Sequence, residues 1–183
     1  MTTQIKDSLL FDNKEYSLNT VLLDDYFKIF PEKHISPKHL ITALWRGYIA
    51  TFEIVSGKLF VKKIEILSDG KFNFELFKEF NYEKPCEWYS GFIRIDEFRG
   101  EFDDEKNTEA TYEFLEIKNG NLKSKLCLNF ADFIKFKNSL YNKFKQTEEY
   151  NDQYLRWKPS ELSEEEIEEY IYSSFMRYTK QIE

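Results

Sequence analysis

Two segments of this chain, "FEIVSGKL" (Phe52 to Leu59) and "LEIKNGNL" (Leu115 to Leu122), share the pattern Glu-Ile-x-polar-Gly-x-Leu. Each sets a glycine-bearing turn between runs that alternate apolar and polar residues. Alternation commits one face of each strand to a core, and Ser56-Gly57 or Asn119-Gly120 accepts the left-handed backbone of a tight loop. Two β-hairpins are therefore expected, with Asn119-Gly120 the stronger signal. The same logic predicts a pair of short strands in "LLFDNKEYSL" (Leu9 to Leu18) around Asp12-Asn13, and a strand in "KFNFELF" after Asp69-Gly70.

A second echo precedes these hairpins. "WRGYIA" from Trp45 and "WYSGFIRIDEF" from Trp88 both read tryptophan, glycine, then an aromatic residue and isoleucine. Each tryptophan is expected to pack at the entrance of a core strand, with Gly47 and Gly91 letting the backbone kink beside it. Internal duplication and hairpin chemistry reached twice both account for the two echoes.

Helical periodicity surrounds the strands. "VLLDDYFKIF" spaces Val21, Leu22, Tyr26, Ile29 and Phe30 along one helical face and stops at Pro31. "SPKHLITALW" offers Ser36 as N-cap and Pro37 at the first helical position, predicting a short helix that delivers the chain to Trp45. Residues 130–145 place Phe130, Phe133, Ile134, Leu140, Tyr141 and Phe144 on one stripe. After Pro159, Ser163 and Glu166 form a capping box ahead of the stripe Ile167, Tyr170, Ile171, Phe175, Tyr178 and Ile182.

Strands followed by helices predict an α+β fold: a mainly antiparallel, strongly curved sheet of about six to eight strands, then C-terminal helices. A chain of 183 residues fits a single domain, β-rich over 1–128 and helical over 129–183. Aromatic residues reach 18%, which suits a sheet-rich core and, as the alternative, an aromatic-lined pocket. The N-terminal residues are too polar for a signal peptide. No apolar run approaches the roughly 18 residues of a membrane span, so the expected location is cytoplasmic, without a membrane partner. Cys86 and Cys127 lack metal-ligand spacing and are expected to stay reduced, as small hydrophobes in or near strands.

Catalytic constellations are not legible. His34 and His39 lie five apart across Pro37, not on one helical face, so no metal ligands are expected. A nucleophilic site would require Ser90, Cys86 or Cys127 to meet one of them, and "WYSGF" lacks the GxSxG elbow. Asp24-Asp25 suits a solvated helix flank better than an acid–base pair. The six glycines are scattered, so no phosphate loop and no cofactor are expected. "FIKFKNSLYNKFK" interleaves lysine with aromatics, but at helical spacing the rings belong inside. A net charge of −7 also opposes nucleic acid.

The charge is uneven. Residues 1–117 carry −7, residues 118–145 carry +6 and residues 146–183 carry −6. The basic and acidic blocks suit either two facing helices or a partner-facing surface. "RIDEFRGEFDDEKNTEA" adds Asp96, Glu97, Phe98, Glu101, Phe102, Asp103, Asp104 and Glu105 as candidate partner-binding residues. Its carboxylates would steer a basic protein while the phenylalanines anchor it.

The runs "LWRGYIATFEIVSGKLFVKKIEI" and "WYSGFIRI" resemble a family of small uncharacterised bacterial proteins carrying R-G-Y-I-A-T-[WF]-E-I…G-K-L and W-[FY]-S-G-x-[IL]-R-I motifs. The resemblance covers roughly residues 40–120 and implies no reaction or site residues. Where the family has a less acidic, Gly/Tyr-rich stretch, this chain has its acidic segment. The expectation is a non-catalytic protein-binding module, in its sharpest form an immunity-type protein that neutralises a basic toxin through an acidic surface. A small-ligand-binding protein with an aromatic pocket is the first alternative, with Trp45, Trp88, Tyr48 and Phe92 as its expected lining; an enzyme using carboxylates alone is the second.

Overall fold

The structure is a computed structural model that describes residues 3–36, 41–68, 73–96 and 108–177. Among the described residues eight strands form one mixed, mostly antiparallel sheet: β1 (Ser8–Phe11), β2 (Lys14–Ser17), β3 (Tyr48–Val55), β4 (Lys58–Leu67), β5 (Phe74–Leu76), β6 (Gly91–Arg94), β7 (Tyr112–Lys118) and β8 (Asn121–Leu128). Their order is β2-β1-β3-β4-β8-β7-β6, and β5 pairs with β4 off this path. The helices are α1 (Leu23–Ile29), α2 (Phe130–Phe144), α3 (Glu148–Trp157) and α4 (Glu164–Ser174). The α+β class follows as expected. Contacts group the chain into two compact units: Met1–Ile95 with Leu115–Ser124, and Asp96–Phe114 with Lys125–Glu183.

In the first unit three of the expected tight hairpin loops are present, and the fourth, at Asp69-Gly70, lies outside the described residues. Asp12 and Asn13, Ser56 and Gly57, and Asn119 and Gly120 each hold both loop positions at positive φ, as the type I′ hairpin turn requires. β1 pairs antiparallel with β2 and parallel with β3, the exception to the antiparallel expectation. In β4 the register skips Lys62, so Leu59 and Val61 point inward before the bulge and Ile64 after it. These side chains join Leu9, Leu22, Tyr48, Phe52, Ile93, Leu115 and Ile117 in one buried core.

The hairpin echo has a structural counterpart. The Leu59 N–H donates to the Gly120 carbonyl and the Leu122 N–H to the Gly57 carbonyl, each at 2.8 Å, across the Lys58–Asn121 pair. The hydrogen bonds are reciprocal, so the two tips meet about a local two-fold axis. The segment from Cys86 to Ser90 clamps them. The Cys86 N–H donates to the Leu59 carbonyl, the Gly120 N–H donates to the Tyr89 carbonyl, and Ser90 Oγ accepts from the Asn119 N–H at 2.9 Å. The second tryptophan motif therefore serves as a staple across both turns.

Three expectations are corrected. Trp45 is 70% exposed and does not pack at a strand entrance, whereas half-buried Trp88 does pack against the core. Residues 41–46 form a bridged turn instead of a helix; residues 37–40, the start of that expected helix, lie outside the described residues. The cause is a distant strap. Gln4 donates to the Thr42 carbonyl and accepts from the Trp45 N–H, while the Ile5 N–H donates to the Ala43 carbonyl. Cys127 is exposed in β8, unlike buried Cys86.

In the second unit Asn129 caps α2, Thr147 caps α3, and Ser163 with Glu166 forms the expected capping box on α4. Rings fill the space between the helices. Tyr141 of α2 meets Phe175 at 5.1 Å, and Phe144 meets both Phe175 and Tyr150. Tyr112 of β7 stacks on Phe133 at 4.0 Å. The basic and acidic helices thus face one another through aromatics.

Candidate functional site

The described acidic surface belongs to α3, α4 and their connection. Between Glu148 and Glu169 there are nine acidic residues against Arg156 and Lys158. Three of them fill the first turn of α4, where the helix dipole favours carboxylates. Apolar groups stand among these charges. Tyr170 is 45% exposed and packs on half-buried Trp157 at 4.6 Å, and Leu162 in the connection is 39% exposed. Expected as part of the buried stripe of α4, Tyr170 instead faces outward beside Trp157; Tyr178 and Ile182 lie outside the described residues.

One carboxylate of α4 is structural. Glu168 accepts from the Tyr141 and Tyr150 hydroxyls, each at 2.5 Å, tying α4 to α2 and α3. Burial opposes its ionisation, but those two donors and the Lys145 ammonium outweigh it and hold its carboxyl below the usual glutamate value. Burial, and then the carboxylate itself, push both tyrosines up. A depressed folded-state pKa stabilises above the unfolded value of 4.5 and loses that contribution as pH falls. Replacing Glu168 with glutamine is expected to cost about 1–2 kcal/mol at pH 7. In thermal melts monitored by circular dichroism, the gap between wild type and variant should narrow as pH falls toward 4.

The first unit carries a cleft of about 300 Å3 lined by Tyr26, Glu32, Lys33, His34, Phe77, Glu79 and Phe80. Tyr26 is its central ring, meeting Phe30 at 4.9 Å, Phe80 at 5.1 Å and Trp88 at 5.5 Å. The helix α1 presents Tyr26. A short 3-10 turn at Pro31–Lys33 turns Glu32 and Lys33 outward, and the segment after β5 supplies Phe77, Glu79 and Phe80. The Tyr82 hydroxyl donates to the Phe77 carbonyl and holds that segment against the sheet. The aromatic lining expected from Trp45, Trp88, Tyr48 and Phe92 is not this one. Tyr48 is fully buried and Trp45 points to solvent, while Trp88 reaches the cleft wall through Tyr26.

The other sequence candidates separate in space. Of the acidic segment, Asp96 is a half-buried bend after β6, while Glu97, Phe98, Glu101, Phe102, Asp103, Asp104 and Glu105 lie outside the described residues. Cys86 is buried, which pushes its thiol up to about 12, and Ser90 engages Asn119. His34 packs on Phe27 at 5.1 Å, and His39 lies outside the described residues. Asp24 and Asp25 occupy the first turn of α1. Among the described residues no group of three or more His, Cys, Asp or Glu side chains could hold a metal ion. Nor, among them, is any helix long and apolar enough to cross a membrane.

The residues that sequence reasoning missed are those of the cleft and Trp157. Tyr26 is visible only as a helical apolar position, and Phe77, Phe80 and Trp88 reach it from more than 50 residues away. No protein-family model, curated protein or solved structure matches this chain.

Proposed function

We propose that this chain is a non-catalytic protein-binding module that engages a basic partner through the acidic face of α3 and α4. The observation that carries this is exposed Tyr170 packed at a tilt on half-buried Trp157 at 4.6 Å, in a stretch from Glu148 to Glu169 that carries nine acidic residues and exposed Leu162. Exposed rings within a field of one sign combine a desolvated anchor with long-range steering, which is how protein interfaces gain affinity and rate. The acidic segment from Asp96 to Glu105 is part of the proposal as a second contribution of the same sign. In its sharpest form the module neutralises a basic toxin in a bacterial cytoplasm. The bulge at Lys62 supports the further proposal that its sheet is strongly curved.

Capture from native lysate at low salt tests this. Wild type should retain a basic protein that a Glu165→Lys/Glu169→Lys variant loses by at least about tenfold, equivalent to 1.4 kcal/mol. Both positions are exposed, so folding is preserved. Changing Asp103, Asp104 and Glu105 to lysine isolates the share of the other segment. Equal capture by wild type and both variants would exclude the acidic surface.

A further inference from the structure

The cleft in the first unit is separate from the α3–α4 face and stands whether or not that face takes a partner. Its walls are Tyr26, Phe77 and Phe80, which are half-buried, so each keeps part of its surface accessible. Its carboxylates and ammonium are those of Glu32, Glu79 and Lys33, all exposed, an excess of one negative charge among the three. Phe30, 37% exposed, continues the aromatic surface outward from Tyr26.

We propose that this cleft binds an ammonium or guanidinium group carried on an aliphatic stem. Aromatic faces attract cations through the ring quadrupole, and carboxylates at the rim add Coulomb attraction where desolvation is incomplete. The chain already makes one such contact at this rim: Lys33 Nζ sits 5.9 Å from the Phe30 ring centroid. That contact draws the lysine's own charge toward Phe30. Two carboxylates then stand against the three remaining rings. About 300 Å3 is at the small end for ligand pockets, suited to one extended side chain or a compact amine and not to a nucleotide-sized cofactor. An anionic ligand would meet two carboxylates for one lysine, the wrong balance.

The test is an NMR titration of the full chain, following the ring signals of Tyr26, Phe77 and Phe80. The probes are n-butylammonium, the capped tripeptide acetyl-Gly-Lys-Gly-amide, butyrate and 1-butanol. The two cations should shift the three rings in a saturable way, while butyrate and butanol should not. A Glu32→Gln/Glu79→Gln variant, altered only at exposed positions, should bind n-butylammonium about tenfold more weakly. So should Tyr26→Leu, which keeps an apolar side chain in α1 but removes the central ring. Tighter binding of the tripeptide identifies a protein lysine as the source of the cation; equal binding identifies a free amine. Butyrate or butanol shifting the same rings as strongly would overturn the proposal, as would unchanged binding by the double glutamine variant.

Discussion

Replacing Arg46 with alanine is expected to destabilise the fold by about 3–5 kcal/mol, the largest effect of any exchange considered. Arg46 Nη2 donates to Asp7 Oδ1 at 2.7 Å and to the Ile5 carbonyl at 3.0 Å, while Nε donates to the Tyr48 carbonyl. The same Asp7 oxygen accepts from the Ala50 N–H at 2.8 Å, so the pair staples the N-terminal segment to β3. Asp7 is only 2% exposed. Truncating the arginine strands that carboxylate in the core and leaves the Ile5 carbonyl without its guanidinium donor, which is why one exchange costs so much.

The loss should depend on pH in a definite direction. Burial raises the Asp7 carboxyl above its ordinary 3.8, with Arg46 and the Ala50 N–H pulling it back. Without Arg46 the chief counterweight is gone and the protonated form is favoured further. A carboxyl with a raised folded-state pKa is least costly below its unfolded value and destabilises increasingly as pH rises toward its folded one. Urea denaturation should therefore show a smaller gap between wild type and Arg46→Ala at pH 4 than at pH 7. Arg46→Lys should fall between them, because an ammonium keeps the charge but not the fork of donors.

Gly120→Ala is the second large effect, about 3 kcal/mol, against about 1 kcal/mol for Gly57→Ala. Both glycines sit at left-handed φ, +71° and +74°, so each pays the backbone term. They differ in surroundings. A Cβ at Gly57 meets nothing within 4 Å, whereas at Gly120 it would stand 2.8 Å from the carbonyl carbon and oxygen of Cys86. Those atoms belong to the clamp over both hairpin tips, held by the Cys86–Leu59 and Gly120–Tyr89 hydrogen bonds, so they yield only by disturbing both turns. Parallel thermal melts of the two variants check this. Equal losses would mean that the clamp carries no strain-bearing contact.

The sequence made the local chemistry visible and left the distant chemistry dark. Ser56-Gly57 and Asn119-Gly120 carry their turn type in two residues, and Ser163 with Glu166 carries a helix start in four. Those elements follow directly. The bridged turn at 41–46 does not, because Gln4 and Ile5 hold it from about 40 positions away. The parallel β1–β3 pair is invisible for the same reason. For the candidate surfaces, charge was readable and geometry was not. The acidic block after residue 146 is plain from composition, but nothing in the order of residues says that Tyr170 faces outward beside Trp157. The cleft required α1, the turn after it and the segment beyond β5 to converge on Tyr26.

The central claim, that the acidic aromatic face of α3 and α4 meets a basic protein, is tested most directly by site-specific photo-crosslinking in the native lysate. A crosslinking amino acid is placed at Glu169, at Asp104 and, as a control on the first unit, at Glu53. Position 169 is expected to yield a discrete adduct with a basic protein, 0.5 M salt to abolish it, and position 53 to yield none. An absent adduct at 169, or the same adduct from 53, would contradict the claim.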